Sequence, residues 1–347
     1  MKITHIVYSF ANGGIETMLV NIANIQVKTN EVVIVVINDI IDNSLVGKLD
    51  DRIKCVFIRR KSKIDVHLLK LPFIPFLLKS DIVHFHDLSM IKFFPFKGVN
   101  CKWIFTCHNY TKIPRYSYII NKKADHILAI SMIVYNTLCE KFDKKKISLC
   151  YNGINYTKFL AKTQYNNSVK NIVCVGRFVF KQKGQDMLIQ AIKKIVDKGY
   201  NDIHFTFWGD GEDLKKAIRM VEELHLTANV TFEGNVDYSR INNDFRNFDL
   251  CIQPSRIEGF GLVAAEALGI GVPCILSNIG GHLEIAESGK YALIYNVNDI
   301  DSLTEAIIYV QNNYQELNDA IKVNRAAIQN RFSIDNTISI LNSVYRN

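Results

Sequence analysis

The sequence has no uninterrupted apolar run of the ~18 residues that a helix needs to cross a bilayer. Its first residues, Met1–Tyr8, predict a short strand and lack the apolar core and cleavage site of a signal peptide. The eight cysteines include no CxxC pair, and most lie in or beside apolar segments, which favours buried free thiols over disulfides or metal ligands. We therefore expect a cytoplasmic protein.

Internal repeats and low-complexity segments are absent too, so a repeat architecture is not indicated. Of the 347 residues, 48% are hydrophobic and 22% are charged, which is typical of a globular chain. This length suits two domains of roughly 150 to 180 residues each. We place the first domain at 1–165, with a terminal helix at 333–347 that returns to it, and the second at 166–332.

Charge is unevenly spread between the two halves. Residues 1–165 carry 24 Lys and Arg against 12 Asp and Glu, whereas the remainder carries 18 against 22. A basic first half should face an acidic partner. The apolar stretch Leu68–Leu78, too short to span a bilayer, follows the basic run Arg59–Lys63. Two interpretations stay open: a core helix broken by two prolines, or a surface that docks on an anionic membrane.

The first half alternates apolar strands with helical stretches. The predicted strands are Ile3–Tyr8, Glu31–Ile37, Lys54–Ile58, Ile82–His86, Trp103–Thr106, His126–Ile130 and Ile147–Tyr151, and the predicted helices are Ile15–Ile25 and Met132–Phe142. Strands that alternate with helices indicate a parallel, doubly wound sheet of the α/β class.

The second half repeats this pattern after a polar stretch, Ala161–Val169, that reads as a linker. Its predicted strands are Ile172–Val175, His204–Trp208, Val230–Phe232, Leu250–Ile252 and Val272–Leu276, and its predicted helices are Gln185–Asp197, Leu262–Leu268, Ile300–Ile328 and Ile334–Val344. A second doubly wound α/β domain is expected.

Two carboxylates flank a glycine turn near the centre of this second half. Glu258 precedes Gly259-Phe260-Gly261, and Glu266 lies further into the helix that follows. Glycines let the backbone approach a ligand closely, and the positive start of the helix attracts a phosphate. Glu266 is better suited to accept hydrogen bonds from neutral hydroxyls. The pattern favours a diphosphate in the middle with a hydroxyl-bearing ring at each side.

Basic residues for such a diphosphate follow the first strand of the second half. Arg177 ends that strand and Lys183 precedes the next helix, so the two cations stand on either side of one loop. Fixed guanidinium and ammonium groups are suited to bridging two phosphates.

The loop Asn12-Gly13-Gly14 also places glycines ahead of a helix. It is not GxGxxG, and Asp39 is a weak candidate for the acidic residue that would bind a dinucleotide ribose, so a nicotinamide cofactor is disfavoured.

Histidines follow two of the predicted strands. His84 and His86 alternate onto one face, which would suit a metal, although polar residues at the carboxyl rim of the sheet are the interpretation we favour. His108 follows the next strand, where ligands bind in open α/β sheets.

The second half resembles a known signature. Pro254–Leu262, Glu266, Gly271–Pro273 and Gly280–Glu284 match the Glu-x7-Glu region of retaining GT-B glycosyltransferases of family 4, and Gly176-Arg177 with Lys183-Gly184 match its Gly-Arg and Lys-Gly motif. The resemblance implies two doubly wound Rossmann-like domains with an interdomain cleft.

The resemblance also implies roles for individual residues. It places His108 near the transferred sugar, Glu258 on sugar hydroxyls and Glu266 on the ribose, with Arg177 and Lys183 on the leaving diphosphate. It also places the backbone at Val236 on the base. The residues that it places around the donor are Gly13, Gly14, Arg177, Lys183, Gly209, Val236, Glu258, Gly259, Phe260, Gly261, Leu262 and Glu266. The family commonly has Asp after the histidine, where this chain has Asn109, so a role that needs a second charge there is not expected.

The reaction implied is hexosyl transfer, with retention, from a UDP- or GDP-sugar to a glycan or lipid-linked acceptor. It suits the synthesis of bacterial surface polysaccharide or glycolipid at the inner face of the membrane. No cofactor, metal or nucleic acid is expected. Two alternatives remain open: a GT-B epimerase of nucleotide sugars, which would turn over its substrate without an acceptor, and a noncatalytic nucleotide-sugar sensor.

Overall fold

The structure, a computed structural model, describes residues 1–11, 13–62, 65–74, 79–97, 100–109, 113 and 117–346. The chain divides into two compact units. The first comprises Met1–Gly153 and Ile334–Asn347, and the second comprises Ile154–Ser333. Within the described ranges, no helix is both long enough and apolar enough to span a bilayer.

The first unit is built on a parallel sheet of seven strands, in the order β3-β2-β1-β4-β5-β6-β7. Its strands are β1 (Lys2–Val7), β2 (Glu31–Asn38), β3 (Lys54–Arg60), β4 (Ile82–Phe85), β5 (Lys102–Cys107), β6 (His126–Ala129) and β7 (Ile147–Leu149). Residues 32–37 of β2 are all buried, because a parallel sheet covered on both faces has no polar side.

Helical segments connect these strands. They are α1 (Gly14–Gln26), α2 (Asn43–Val46), the 3-10 segments Val66–Phe73 and Leu88–Phe93, α3 (Ser117–Lys123), α4 (Met132–Cys139) and the 3-10 turn Lys144–Lys146. Ser131 caps α4 by accepting a hydrogen bond from the N–H of Val134. The apolar stretch forms a 3-10 segment as far as Phe73, and residues 75–78 lie outside the described residues.

The second unit has a parallel sheet of six strands, in the order β10-β9-β8-β11-β12-β13. Its strands are β8 (Asn171–Val175), β9 (His204–Trp208), β10 (Val230–Phe232), β11 (Leu250–Gln253), β12 (Cys274–Ser277) and β13 (Leu293–Tyr295). The order reverses between β8 and β11, so both strands end at the point where such sheets bind ligands.

Helices cover this second sheet. They are α5 (Phe180–Lys183), α6 (Gln185–Asp197), α7 (Leu214–Glu223), α8 (Tyr238–Asp244), the 3-10 turns Tyr156–Lys158 and Phe245–Asn247, α9 (Leu262–Ile270), α10 (Gly280–Ile285), α11 (Ile300–Asn312) and α12 (Tyr314–Phe332). The two parallel α/β units confirm the predicted fold class. All eight cysteines are free and six are buried, as expected.

The last helix, α13 (Ile334–Arg346), belongs to the first unit. Ile334, Leu341 and Tyr345 are buried in one cluster with apolar residues of α1 and of the first sheet. The chain therefore returns to the first unit after completing the second, as the predicted terminal helix requires.

The boundary between the units falls at Gly153, not at residue 165. The supposed linker, Ala161–Val169, is bound to the second unit: Tyr165 donates to the carbonyl of Gly271 (3.0 Å), and the buried Lys162 ammonium donates to the carbonyl of Phe248 (2.8 Å). Its polar composition resembles a linker because its side chains bind backbone carbonyls.

The helical sequence predicted over 300–328 forms two helices. Asn313, with φ −126° and ψ 26°, ends α11 and precedes α12. Tyr314 starts the second helix with its buried hydroxyl donating to the carbonyl of Asp249 (3.0 Å). This tertiary bond fixes where the helical axis changes, and no Pro or Gly marks the break in the sequence.

Candidate functional site

An ion pair connects the segment after β8 with the loop after β11 in the second unit. Lys183 at the end of α5 and Glu258 in the loop after β11 approach to 2.5 Å between Nζ and Oε2. Ser255 donates a longer hydrogen bond, 3.4 Å, to the same carboxylate oxygen. Burial raises the pKa of Glu258, but the charges of Lys183 and His282 together with the hydrogen bonds from Lys183 and Ser255 outweigh burial and leave the pKa below its ordinary value. Glu258 is therefore ionised near neutral pH.

Arg256 holds this loop in place. Its guanidinium donates to both oxygens of Asp186 at the start of α6 (2.7 and 2.8 Å), and its backbone N–H donates to the carbonyl of Gln182 (2.8 Å). A bidentate pair fixes orientation as well as distance. The prediction did not assign Arg256 a role. The sequence signal for this ion pair was an Arg two residues before Glu258 together with an Asp in the first turn of α6.

Two of the predicted glycines are required by the backbone. Gly261, the N-cap of α9, has φ 103°, and Gly209 after β9 has φ 141°. A Cβ on Gly209 would lie 2.1 Å from the carbonyl oxygen of Gly176. The ends of β8 and β9 therefore touch through backbone atoms.

The start of α9 is open to an anion. No side chain among the described residues caps this helix, so the N–H groups of its first turn, which follow Gly261, remain free to donate hydrogen bonds. Gly259 is half-buried, Leu262 is the first helical residue, and Phe260 is buried with its ring edge-on to Phe332 at 5.5 Å. Phe260 therefore anchors the loop from inside.

Glu266 lies in the middle of α9 and is only 5% exposed. Tyr238, the first residue of α8, donates a hydrogen bond of 2.6 Å to its Oε1. Burial raises the pKa of Glu266 to about 7, and the bond from Tyr238 opposes that rise. Val236, another predicted donor contact, is 8% exposed and stands two residues before Tyr238. Tyr238 therefore links the two predicted contacts, Val236 and Glu266.

Arg177 follows β8 with an exposed side chain that forms no ion pair with any residue of the described ranges. Its carbonyl accepts a hydrogen bond of 3.0 Å from the side-chain amide of Gln185. The backbone is thus fixed while the guanidinium is available to a ligand.

The remaining predicted site residues, Gly13, Gly14 and His108, belong to the first unit. Gly13 precedes α1, and a Cβ there would lie 2.6 Å from a carboxylate oxygen of Glu16. Both ring nitrogens of His108 are buried without a hydrogen-bond partner among the described residues. Burial lowers its pKa to about 4, so the imidazole is neutral at pH 7. A neutral imidazole suits hydrogen bonding to an uncharged hydroxyl.

His84 and His86 lie at the carboxyl end of β4, as expected, and both are buried. They are 1% and 5% exposed, and His86 bonds through Nε2 to Nδ1 of His5 on β1 (3.0 Å). Both nitrogens of His84 are engaged, by Tyr345 (2.6 Å) and Thr106 (2.7 Å). One nitrogen from each of these three histidines lies within 4.8 Å of the others, a spacing that a metal could bridge. In the structure they form a buried hydrogen-bonded network.

Comparisons with known proteins place this geometry in a family. A model described as Glycosyltransferase Family 4 matches residues 12–158, and one described as Glycosyl transferases group 1 matches residues 155–327. The chain is 35% identical to Protein CapJ of Staphylococcus aureus over 161 residues, which cover 45% of this chain and 40% of CapJ. Several other curated relatives are also matched over only about half of their length.

Other similarities extend over almost the whole chain. The O-antigen biosynthesis glycosyltransferase WclY of Escherichia coli is 26% identical over 349 aligned positions, which cover 90% of each chain. The crystal structure of Anabaena Alr3699/HepE in complex with UDP and glucose superposes with a TM-score of 0.82 at 16% identity, over 99% of both chains, and so shows the shared fold. By these matches the chain belongs to the group 1 glycosyl transferases of glycosyltransferase family 4.

Proposed function

We propose that the protein transfers a sugar from a UDP- or GDP-sugar to an acceptor hydroxyl, with retention at the anomeric carbon. The observation that carries this proposal is the pairing of Lys183 with Glu258 at 2.5 Å beside the uncapped start of α9. A cation, a carboxylate and free N–H groups are what a sugar diphosphate needs at its phosphates and at its hydroxyls.

The first chemical demand is the departure of a diphosphate, whose growing negative charge must be stabilised. Arg177, Lys183 and the N–H groups after Gly261 would supply fixed positive potential. Glu258, whose pKa is lowered by Lys183, His282 and Ser255 together, would accept hydrogen bonds from the sugar hydroxyls. Retention would follow from attack on the face that the diphosphate leaves, with a phosphate oxygen taking the acceptor proton. The role of His108 near the transferred sugar stays a prediction.

Relatives support the substrate class. HepE was crystallised with UDP and glucose, and WclY is named for O-antigen biosynthesis. We infer a surface polysaccharide or a glycolipid as the product, built on a glycan or lipid-linked acceptor.

A further proposal concerns an anionic membrane as the place where the acceptor is found. Leu69 and Phe73 in the segment Val66–Phe73 are 71% and 55% exposed. Arg59, Arg60 and Lys61 end or follow β3, which packs against that segment. The guanidinium of Arg60 lies 5.5 Å from the ring centroid of Phe93. Exposed apolar side chains beside basic ones suit a bilayer surface. Lys63, part of the same basic run, lies outside the described residues.

The test is incubation of the protein with a panel of UDP- and GDP-sugars, with and without a glycan or lipid-linked acceptor. Acceptor-dependent release of nucleoside diphosphate, with the product's anomeric configuration read by NMR, supports retaining transfer. Conversion of the nucleotide sugar without acceptor would instead support an epimerase, and binding without either reaction a sensor. Absence of any binding, read as thermal stabilisation across the panel, would overturn the donor site.

A further inference from the structure

Tyr238 is the strongest unassigned feature of the second unit. Its phenol donates to Oε1 of Glu266 at 2.6 Å, and its ring meets the ring of Phe159 edge-on, with centroids 5.9 Å apart. Burial and the nearby Glu266 hold the pKa of Tyr238 well above its usual value, so the phenol is protonated and acts as the donor. Tyr238 is partly buried and Glu266 is 5% exposed, which places this bond largely out of solvent.

The hydrogen bond from Tyr238 gives the two oxygens of the Glu266 carboxylate different surroundings. Oε1 accepts from Tyr238, and no described residue donates to Oε2. A carboxylate has about four acceptor positions, so Oε2 and the remaining position of Oε1 are available to a ligand. The bond also fixes the rotation of the carboxylate, which determines the direction in which those positions point.

Besides burial, the hydrogen bond from Tyr238 is the influence on the pKa of this carboxylate among the described residues. Burial raises the pKa of Glu266 and the bond from Tyr238 lowers it. Tyr156, whose pKa is also raised and which is therefore neutral, is the other titratable group that interacts with Glu266. The other charged or titratable groups on elements packed against α9 include Arg246, His282, Glu284, Arg325 and Arg331. None of them contributes to the shift.

We infer that Tyr238 is a positioning residue for donor binding, which orients Glu266 so that Oε2 can accept the ribose hydroxyls. This inference rests on the proposed function, in which Glu266 binds the ribose. Val236, predicted to hold the base, lies two residues before Tyr238, so one short segment would serve both the base and the ribose. The base side and the ribose side of the nucleotide are then coupled through the start of α8.

The test is calorimetric titration of the protein with UDP and with GDP from pH 5.5 to 9. In the wild type, affinity should fall as the pH drops through about 7, where Glu266 takes up a proton. Tyr238→Phe removes one oxygen and should move this midpoint upward by about one pH unit, which weakens binding about fivefold at pH 7 and little at pH 9. Glu266→Gln should bind weakly, and its profile should show only the titration of the diphosphate itself.

Two controls separate positioning from a general effect on folding. Tyr309→Phe changes an exposed tyrosine on α11 and should leave the profile unchanged. Inorganic pyrophosphate, which lacks a ribose, should bind to Tyr238→Phe as it does to the wild type. Should Tyr238→Phe not fold, Phe159→Leu, which loosens the tyrosine ring but keeps the phenol, should move the midpoint in the same direction by less.

The outcomes distinguish this inference from the proposed function. A Tyr238→Phe profile that overlays the wild type, while Glu266→Gln binds weakly, would overturn the role of Tyr238 and leave the donor site standing. A Glu266→Gln variant with wild-type affinity at every pH would remove Glu266 from the ribose site, and with it the basis of the inference. Loss of pyrophosphate binding in Tyr238→Phe would show a structural role only.

Discussion

Lys183 and Glu258 form a pair that an incoming sugar diphosphate would have to share. A phosphate beside Lys183 would compete with Glu258 for the ammonium, while the sugar hydroxyls would take up the carboxylate oxygens that Lys183 gives up. The paired state without ligand therefore keeps both groups charged and in place, so little rearrangement is needed when the donor binds.

Arg177 and Lys183 provide a test of diphosphate stabilisation. Changing either residue to Ala should lower the turnover number about 10²-fold or more, because one fixed electrostatic partner of the leaving group is lost. The two cations would serve one charge, so the double variant should lose less than the product of the single losses. Initial rates at saturating donor measure this.

The matched control is Lys181→Ala, an exposed lysine on the same short helix α5. It changes the net charge by the same amount and should keep wild-type turnover. Full activity in either the Arg177 or the Lys183 variant would place the diphosphate elsewhere.

At the scale of elements, the segment after Gly153 is fastened to α9 by one aromatic side chain. Tyr156 donates to the carbonyl of Ala265, and its ring fills the space beside Gly269. A Cβ on Gly269 would lie 2.0 Å from a ring carbon of Tyr156. That glycine is therefore part of an interface between segments, although in the sequence it only marks the end of a helix.

Gly269→Ala should destabilise the protein by about 1 to 3 kcal/mol, since the added methyl group overpacks against Tyr156. Chemical denaturation measures the loss. In a Tyr156→Ala background, which opens that space, the same substitution should cost much less. Equal costs in both backgrounds would mean that the methyl group meets some other atom.

The buried histidines of the first sheet make a second element-scale prediction. Burial lowers the pKa of His5 and of His108 to about 4, and those of His84 and His86 well below the ordinary value. In the unfolded chain each would have a pKa near 6.5, so below that pH the unfolded state binds more protons. Stability should be full above about pH 6.5 and fall as the pH drops toward 4, by up to about 1.4 kcal/mol per pH unit for each histidine.

Urea denaturation from pH 7.5 to 4.5 measures this slope. His86→Gln should reduce the slope by about one proton, whereas His225→Asn, at an exposed position, should leave it nearly unchanged. A slope that is the same in His86→Gln and in the wild type would contradict a neutral, buried His86.

The sequence predicted the elements well because apolar alternation and glycine punctuation are local signals. It also singled out Lys183, Glu258 and Gly261, because they belong to short motifs, and their contacts with a donor stay a prediction. Tyr238 and Arg256 were missed because their roles depend on partners many residues away, Glu266 and Asp186. The same reason explains why the domain boundary was predicted at residue 165 and not at Gly153. The polar residues after Gly153 bind carbonyl groups of residues much further along the sequence, such as Phe248.

At the scale of the whole molecule, the basic first half predicts salt-sensitive membrane attachment. Each basic residue near an anionic surface contributes about 1 kcal/mol, so changing Arg59, Arg60 and Lys61 together to Ser should weaken binding to vesicles of acidic lipid by about 10²-fold. Sedimentation at low and high salt measures this, and high salt should release the wild type.

A matched variant changes Lys193, Lys194 and Lys198 near the end of α6, and so removes the same charge from the second unit. It should sediment like the wild type. If the two triple variants sediment equally, only net charge matters and no particular surface docks. If the wild type stays in solution at low salt, the acceptor must reach the protein without membrane attachment.

The return of α13 to the first unit affects how the chain can fold during synthesis. The second unit is one continuous stretch, whereas the core of the first lacks Ile334, Leu341 and Tyr345 until α13 has left the ribosome. The N-terminal residues emerge first, yet their core is completed only after the whole second unit has been translated. We therefore expect the unit made second to reach its native state first, with the earlier segment exposed to chaperones in the interval.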